Sequence, residues 1–324
     1  MWNLPRYSRR VSKKKPRPWP ETPAPLPRPV TDNHTHLPVG EWEIPRADGV
    51  KLSLEEQLNR ANEVGVDSII TVGCALPDLD PTLEIARKYM RPGERMPAVR
   101  AALALHPNEA PLHAGILDKG PDGLETFQKE HHIPLDEALA EVDRRLDDPT
   151  VVAVGETGVD MFRTAQSGLK AAQDSFAAHL QMGFKRDLPV QIHDREAHEE
   201  CLGVLYDVGA DKKDTPIVFH CFSGGVELAE HCAKNGWYAS FAGSLTFKAN
   251  DELREAFLSL PPELVLVETD APYLTPVPYR GQPNASYVMA LTIRFMAEMW
   301  EVSEDEACER LEKNTNEVYG TWKY

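Results

Sequence analysis

From residue 30 onward the chain repeats one pattern, in which a short apolar run rich in β-branched residues is followed by a longer amphipathic stretch. This alternation is typical of βα units built around a parallel sheet. It predicts eight strands, at residues 30–34, 68–73, 99–105, 151–155, 189–193, 217–220, 237–241 and 264–268. Eight consecutive units favour an α/β fold, a (β/α)8 barrel of the TIM type forming a single domain.

Amphipathic segments predict the helices of this barrel. They lie at residues 54–64, 134–146, 166–186, 195–208, 226–235, 251–260, 285–300 and 303–318. Residues 107–133, between the third and fourth strands, form a long polar insertion with several Gly and Pro residues. Long connections of this kind are usually functional or mobile, so we expect this one over the barrel mouth or at its rim.

Residues 1–29 differ from the rest in composition, with eight basic residues, one acid and many prolines. Proline blocks helix formation, and this composition predicts a disordered N-terminal tail at 1–29, followed by the barrel domain at 30–324. The tail carries a charge of +7, so the net charge of −16 for the whole chain leaves −23 on the barrel. The tail is interpreted either as a localisation or polyanion-binding tag or as a solvated segment with no specific role.

The acidic balance argues against a protein that holds nucleic acid mainly through a basic surface. The sequence contains no apolar run of roughly 20 residues, so no membrane span is expected. Five cysteines occur without a CxxC pair, and no secretory signal follows the N-terminal arginines. These features predict reduced thiols in a cytoplasmic protein.

Metal-ligating residue types cluster at the C-terminal ends of the predicted strands, where barrels carry their chemistry. They are His34 and His36 at strand 1, His106 after strand 3, Glu156 at strand 4, His193 at strand 5, His220 at strand 6 and Asp270 after strand 8. Alone, each histidine has a simpler interpretation as a polar plug bonded to a loop, but together they favour a metal centre. The other histidines are expected to face solvent, at positions 113, 131, 132, 179, 198 and 231.

The predicted ligands are His34, His36, Glu156, His193, His220 and Asp270. His34 and His36 flank one residue of an extended segment, so their side chains project from the same face. Strand 8 lies beside strand 1 in a barrel, which brings Asp270 next to both. Glu268 is assigned one of two roles, either orienting a ligand histidine or pairing with a cation such as Arg195.

Imidazoles with one or two carboxylates suit Zn²⁺, Mn²⁺, Ni²⁺ or Co²⁺, whereas Mg²⁺ normally takes more oxygen ligands. We therefore expect one or two divalent ions from this group, with Mg²⁺ the less suited candidate. Two ions about 3.5–4 Å apart would share Glu156 and activate a hydroxide. Glu156 and Asp270 are the predicted catalytic residues, with Asp270 receiving the proton of the attacking water.

The stretches HTH, GETGVD, HDREA, HCFSG and ETDAPYLTPVPYRGQPN, in this order, resemble the TatD family of metal-dependent hydrolases in the amidohydrolase superfamily. The similarity spans residues 31–320. It implies that the six predicted ligands match the family's metal-binding positions and that Asp270 is its catalytic acid/base. It also implies a DNase that trims 3′ ends with divalent metal ions.

Two further residues are predicted to bind substrate. Arg280, followed by Gly281, would place a guanidinium on a phosphate. His106, in the stretch LHPNEA, either contacts substrate or satisfies a loop carbonyl.

The favoured function is a metal-dependent deoxyribonuclease, 3′–5′ exonuclease-like, that cleaves phosphodiester bonds. Its expected partner is DNA, as single-stranded ends, and a monomer is favoured. An amidohydrolase-type enzyme acting on an amide, lactone or phosphotriester is the alternative, because one fold supports many chemistries. A non-catalytic nucleic-acid-binding protein is the third interpretation.

Overall fold

The computed structural model describes residues 17–91 and 96–321, and its centre is one sheet of eight parallel strands in sequential order. The strands are β1 (Val30–Thr35), β2 (Val66–Gly73), β3 (Ala98–Leu103), β4 (Val151–Asp160), β5 (Val190–Arg195), β6 (Ile217–Phe219), β7 (Tyr238–Phe241) and β8 (Val265–Val267). Helices surround the sheet. The predicted (β/α)8 barrel is confirmed.

The helices are α1 (Leu54–Glu63), α2 (Leu76–Lys88), α3 (Ala110–His113), α4 (Leu135–Arg145), α5 (Leu169–Arg186), α6 (His198–Asp207), α7 (Val226–Asn235), α8 (Asp251–Ser259), α9 (Met289–Trp300) and α10 (Glu304–Tyr319). The sequence patterns singled out neither α2, which has prolines near its start and in its interior, nor the single turn of α3. Within the described ranges, no helix combines the length and the apolar composition needed to cross a bilayer.

The two ends of the sheet meet just beyond β8. The amide of Asp270 donates to the His34 carbonyl at 3.0 Å, and the amide of His36 donates to the Ala271 carbonyl at 2.8 Å. This seam fixes His34 and His36 beside Asp270, as the sequence predicts.

Strand β4 continues five residues beyond its predicted end, because Gly158 to Asp160 pair with β5. The register shifts between Val154 and Thr157, and such a bulge re-aims a side chain at the rim of a barrel. Glu156 therefore lies within the strand, at the bulge. Gly158 has a φ of 144°, and a Cβ there would lie 2.1 Å from the His193 carbonyl oxygen, so only glycine allows β4 and β5 to approach this closely.

Residues 17–29 form extended chain that packs on the barrel. Trp19 and Leu26 are buried in the main apolar core. The amide of Leu26 donates to the Val64 carbonyl at 2.9 Å, and Arg28 forms an ion pair with Asp305 at 2.8 Å. The expectation of a disordered tail up to residue 29 is thus wrong for these residues, since apolar side chains among the prolines anchor them. Residues 1–16 lie outside the described part of the chain.

Three histidines expected to face solvent are buried instead: His113, His132 and His179. His179 lies on the inner face of α5, where Nε2 accepts the amide hydrogen of Leu105 at 3.1 Å. Its Nδ1 lies 2.7 Å from the Ser175 carbonyl oxygen, so Nδ1 carries the proton. The ring is a neutral hydrogen-bonding link between α5 and the end of β3.

This link predicts an acid-sensitive contribution to stability. Burial lowers the pKa of His179 from 6.5 to about 4, so the unfolded chain binds this proton first as the pH falls. The contribution is complete above pH 6.5 and is lost as the pH falls towards 4, by at most about 3 kcal/mol. In urea unfolding between pH 7 and 4, His179→Gln should show a shallower pH dependence than wild type. Equal slopes for wild type and His179→Gln would contradict the prediction.

Candidate metal centre

The six predicted metal ligands converge at the C-terminal rim of the barrel. Strand β1 carries His34, and His36 directly follows it. Strand β4 carries Glu156, and β5 carries His193. His220 directly follows β6, and Asp270 comes three residues after β8. Strands that are distant in sequence therefore place their end residues around one point, as expected for a barrel.

Glu156 is the centre of this arrangement and is buried. Its Oε2 lies 2.7 Å from His220 Nε2, 2.9 Å from His193 Nδ1 and 3.9 Å from His106 Nε2. Its Oε1 lies 3.4 Å from His36 Nε2. Its two oxygens thus face different histidines.

His34 completes this side of the cluster. Gln191 donates through Nε2 to Asn33 O and Tyr319 Oη, so its Oε1 accepts the Nδ1 proton of His34 at 2.9 Å. The lone pair of His34 is consequently on Nε2, which is buried and has no hydrogen-bond partner among the described residues. Nitrogens of His34 and His36 and an oxygen of Glu156 lie within 4.8 Å of one another. A buried imidazole lone pair facing other donors fits a metal ion.

Carboxylates hold the outer nitrogens of two other histidines. Glu268 Oε1 lies 3.3 Å from His220 Nδ1 and accepts the amide hydrogen of Cys221 at 2.8 Å. Glu268 thus contacts a predicted ligand histidine, as the first of its two predicted roles requires. Asp160 Oδ2 lies 3.3 Å from His193 Nε2.

The charges of the cluster are strongly coupled. Burial disfavours ionisation of Glu156, but the surrounding imidazoles, His220 first, hold its pKa well below the usual value. Burial also opposes the charged form of His220, yet Glu156 and Glu268 raise its pKa well above the usual value. Burial lowers the pKa of His34 well below the usual value. A proton on His220 Nε2 occupies the lone pair that a cation would use, so metal binding there releases a proton.

Asp270 faces His36 across the seam, with Oδ1 at 3.6 Å from Nε2. It has a φ of 48°, a conformation that Asp and Asn tolerate better than most residues. The preceding residue, Thr269, is fixed by the buried Asp32, which accepts the Thr269 amide at 2.9 Å and its hydroxyl at 2.6 Å. Burial raises the pKa of Asp32 to about 7. Asp32 is a positioning residue for the turn that carries Asp270.

His106 and Arg280, the two predicted substrate-binding residues, lie in different surroundings. His106 lines the cavity beside Glu156, and its Nδ1 accepts the Asn108 amide at 3.0 Å, so its Nε2 carries a proton towards the centre. Burial lowers the pKa of His106 to about 4, which keeps the ring neutral. Arg280 is exposed, lies outside the residues that line the cavity, and places its guanidinium 4.2 Å from the Phe247 ring centroid. Arg280 therefore does not line the cavity, and its contact with a phosphate stays a prediction.

A cavity of about 2250 Å³ opens above the centre. The insertion after β3 forms one wall with residues that include Asn108, Leu124 and Phe127, which agrees with the predicted location over the mouth. Arg163 and Arg195 also line the cavity. These two cations come from the β4 and β5 ends, and the sequence analysis placed neither of them in the cavity.

Three further polar residues of the centre were also missed: Asp32, Asp160 and Gln191. Each precedes or follows a predicted ligand by two or four residues, at Asp32 and His34, Glu156 and Asp160, and Gln191 and His193. Even spacing on a strand places side chains on one face. This two-residue period, counted from the predicted ligands, could have identified the three residues from the sequence.

A family model described as TatD related DNase matches residues 31–320. The chain belongs to the TatD family. A Mycobacterium tuberculosis protein described as an uncharacterized metal-dependent hydrolase TatD is 36% identical over 296 residues, covering 90% of this chain and 98% of that protein. This TatD-family chain is therefore a metal-dependent hydrolase, and its buried clusters of His and Glu suit a divalent metal.

Solved TatD structures share the fold. The Escherichia coli homologue YjjV matches with a TM-score of 0.70 and 26% identity, covering 90% of this chain and 98% of that chain. A TatD family hydrolase from Entamoeba histolytica matches with a TM-score of 0.73 and 20% identity, covering 91% of this chain and 100% of that chain.

Proposed function

We propose that this TatD-family chain is a deoxyribonuclease that removes nucleotides from single-stranded DNA ends, in the 3′–5′ direction. The observation that carries the proposal is the convergence of four imidazoles and two carboxylates at the base of a cavity lined by Arg163 and Arg195. The family description supports a nucleic-acid substrate.

The proposed metal ligands are His34, His36, Glu156, His193, His220 and Asp270. The unpartnered Nε2 of His34 and the two-sided contacts of Glu156 support one or two divalent ions of the Zn²⁺, Mn²⁺, Ni²⁺ or Co²⁺ type. When bound, such ions supply Lewis acidity, which lowers the pKa of water and neutralises charge on a phosphoryl oxygen.

The residues of the chain then have separate tasks. Asp270, at the wall of the cavity, accepts the proton of the attacking water. His106 donates its Nε2 proton to a phosphate oxygen, which its fixed tautomer permits. Arg163 and Arg195, which line the cavity, contact neighbouring phosphates.

The dimensions of the cavity favour a strand end as substrate. Ligand pockets usually measure about 300–1,000 Å³, so a cavity of about 2250 Å³ has room for several nucleotides. The insertion forms part of its wall, which favours a narrow single strand over a duplex. The overall charge of −16 also argues against broad binding to duplex DNA.

Cleavage of a 5′-labelled single-stranded oligonucleotide tests the proposal. We expect a ladder of products shortened from the 3′ end, its loss on chelation, and its recovery when Mn²⁺ or Zn²⁺ is added back. Purified protein with a full metal complement that does not cleave would contradict the proposal. A lactone, an amide and a phosphotriester, assayed in parallel, would identify the alternative hydrolase.

Exposed aromatic side chains at the cavity predict how the strand binds. Trp42 is 77% exposed and Phe127 is 69% exposed, and both line the cavity. Stacking of a base on an aromatic ring contributes about 1–3 kcal/mol, so Trp42→Ala or Phe127→Ala should raise KM for the oligonucleotide roughly 5- to 100-fold. Turnover of bis(p-nitrophenyl) phosphate should not change.

Leu258→Ala is the matched control for this prediction, because Leu258 is 55% exposed on α8 and lies outside the residues that line the cavity. It should leave both reactions unaltered. An unchanged oligonucleotide KM in both aromatic variants would show that the bases do not stack there.

A further inference from the structure

A second group of metal-ligating side chains lies in the insertion, outside the six proposed ligands. It consists of Glu109, His113, His131 and His132, called here the insertion cluster. Glu109 Oε2 lies 3.0 Å from His132 Nε2 and 3.4 Å from His131 Nε2. The ring centroids of His113 and His132 are 5.1 Å apart, and those of His131 and His132 are 4.2 Å apart. The cluster therefore joins the beginning of the insertion to its end.

His113 is the residue that points to a ligand. Its Nδ1 lies 2.7 Å from the Ile133 carbonyl oxygen, which can only accept, so Nδ1 carries the proton. The lone pair is on Nε2, which is buried and has no hydrogen-bond partner among the described residues. Histidines that bind metals commonly donate their second ring hydrogen to a backbone carbonyl in this way.

The other two histidines have different contacts. His132 Nδ1 accepts the amide hydrogen of Lys129 at 2.8 Å, so its proton is on Nε2 and is donated to Glu109. His132 therefore holds the carboxylate in place and does not itself offer a lone pair. His131 is partly exposed, with its Nε2 near the same carboxylate oxygen.

We propose that the insertion cluster binds a divalent transition-metal ion, with Zn²⁺ the best match, at a site separate from the barrel centre. His113 Nε2, the Glu109 carboxylate and His131 are its ligands, and His132 is a positioning residue. Two imidazoles, a carboxylate and an open fourth position form a donor set that Zn²⁺ accepts. A ring nitrogen of His113 lies within 4.8 Å of an oxygen of Glu109, and His131 Nε2 lies 3.4 Å from Glu109 Oε2.

The ion would fasten both ends of the insertion to each other. Between them lie Leu124 and Phe127, which line the cavity. The site would thus stabilise a wall of the substrate cavity without taking part in hydrolysis. This role does not depend on the chemical nature of the substrate.

Anomalous diffraction at the zinc edge tests the site directly. Crystals of the wild-type chain grown with a small molar excess of Zn²⁺ should give a peak next to His113 Nε2, besides any peak at Glu156. Absence of the first peak while the barrel centre is occupied would overturn the proposal. Because this measurement uses unmodified protein and no DNA, it is independent of nuclease activity.

Metal counting on variants provides the second measurement. His113→Gln should bind one equivalent of Zn²⁺ fewer than wild type, whereas His231→Gln, at a histidine bound to Tyr206, should bind the full number. Turnover of bis(p-nitrophenyl) phosphate should stay near wild type in both. Equal zinc content in His113→Gln and wild type would contradict the proposed ligand.

The positioning role of His132 has its own readout. His132→Ala should weaken zinc binding at this site by about 10- to 100-fold, as expected when the partner of a ligand is lost. His132→Gln keeps an N–H donor for Glu109 and should restore most of the affinity. Equal zinc affinity in all three proteins would show that His132 does not position the carboxylate.

Discussion

Asp270→Asn is expected to lower kcat for single-stranded DNA by about 10²- to 10⁴-fold, the range that general acid–base groups contribute. Asn has nearly the same shape as Asp but cannot take up the proton of the attacking water. Asp270 lies at the seam, 3.6 Å from His36 Nε2, and is only 9% exposed. The substitution therefore changes a side chain that directly faces the proposed metal ligands.

The fold should survive this substitution. The amide of residue 270 still donates to the His34 carbonyl, and Asn tolerates the φ of 48° as well as Asp does. Metal content, measured on the same sample, separates the loss of a proton acceptor from the loss of a ligand. A variant that keeps its metal but not its turnover has lost the proton acceptor.

Asp251→Asn is the control, because Asp251 also lines the cavity but its carboxylate pairs with Arg254 on the same helix. Its kcat should remain that of wild type. Full activity of Asp270→Asn would refute both roles assigned to Asp270.

Glu156→Gln should have the largest effect on metal binding. Loss of a group that only supports a ligand lowers metal affinity about 10- to 100-fold, so loss of the proposed ligand Glu156 itself should lower it by more than about 100-fold. The amide removes the negative charge that faces His36, His193 and His220. We expect activity to disappear at metal concentrations that saturate wild type, and isothermal titration with Mn²⁺ measures the affinity.

Glu268→Gln is a graded comparison, since Glu268 touches His220 through Nδ1 and is not a proposed ligand. Its metal affinity should fall by no more than about 10- to 100-fold. An equal loss of Mn²⁺ affinity in Glu268→Gln and Glu156→Gln would show that Glu156 contributes no more to metal binding than Glu268 does.

The sequence predicts the barrel well because its strands are buried on both faces and appear as continuous apolar runs. Glu156, His193 and His220 are equally readable, since each directly ends such a run. His34 and Asp270 follow polar residues instead. The seam follows from topology alone. These parts of the structure depend on local pattern and strand order.

Other parts depend on tertiary contacts that no local pattern records. The extension of β4 to Asp160 requires pairing with β5, and the packing of Trp19 requires a surface built from distant segments. Arg280 is a loop residue whose direction is set by stacking on Phe247. The burial of His113 follows from the folding of the insertion on itself, which polar composition did not predict.

The seam has a consequence for how the protein is made. Asp32 and Thr269 are joined by hydrogen bonds although 237 residues separate them along the chain. A ribosome therefore releases the β8 end long after β1 has emerged, and a nascent or truncated chain holds the first histidines without Asp270. Completion of the proposed centre therefore coincides with closure of the barrel, and we expect chains truncated before residue 270 to be inactive.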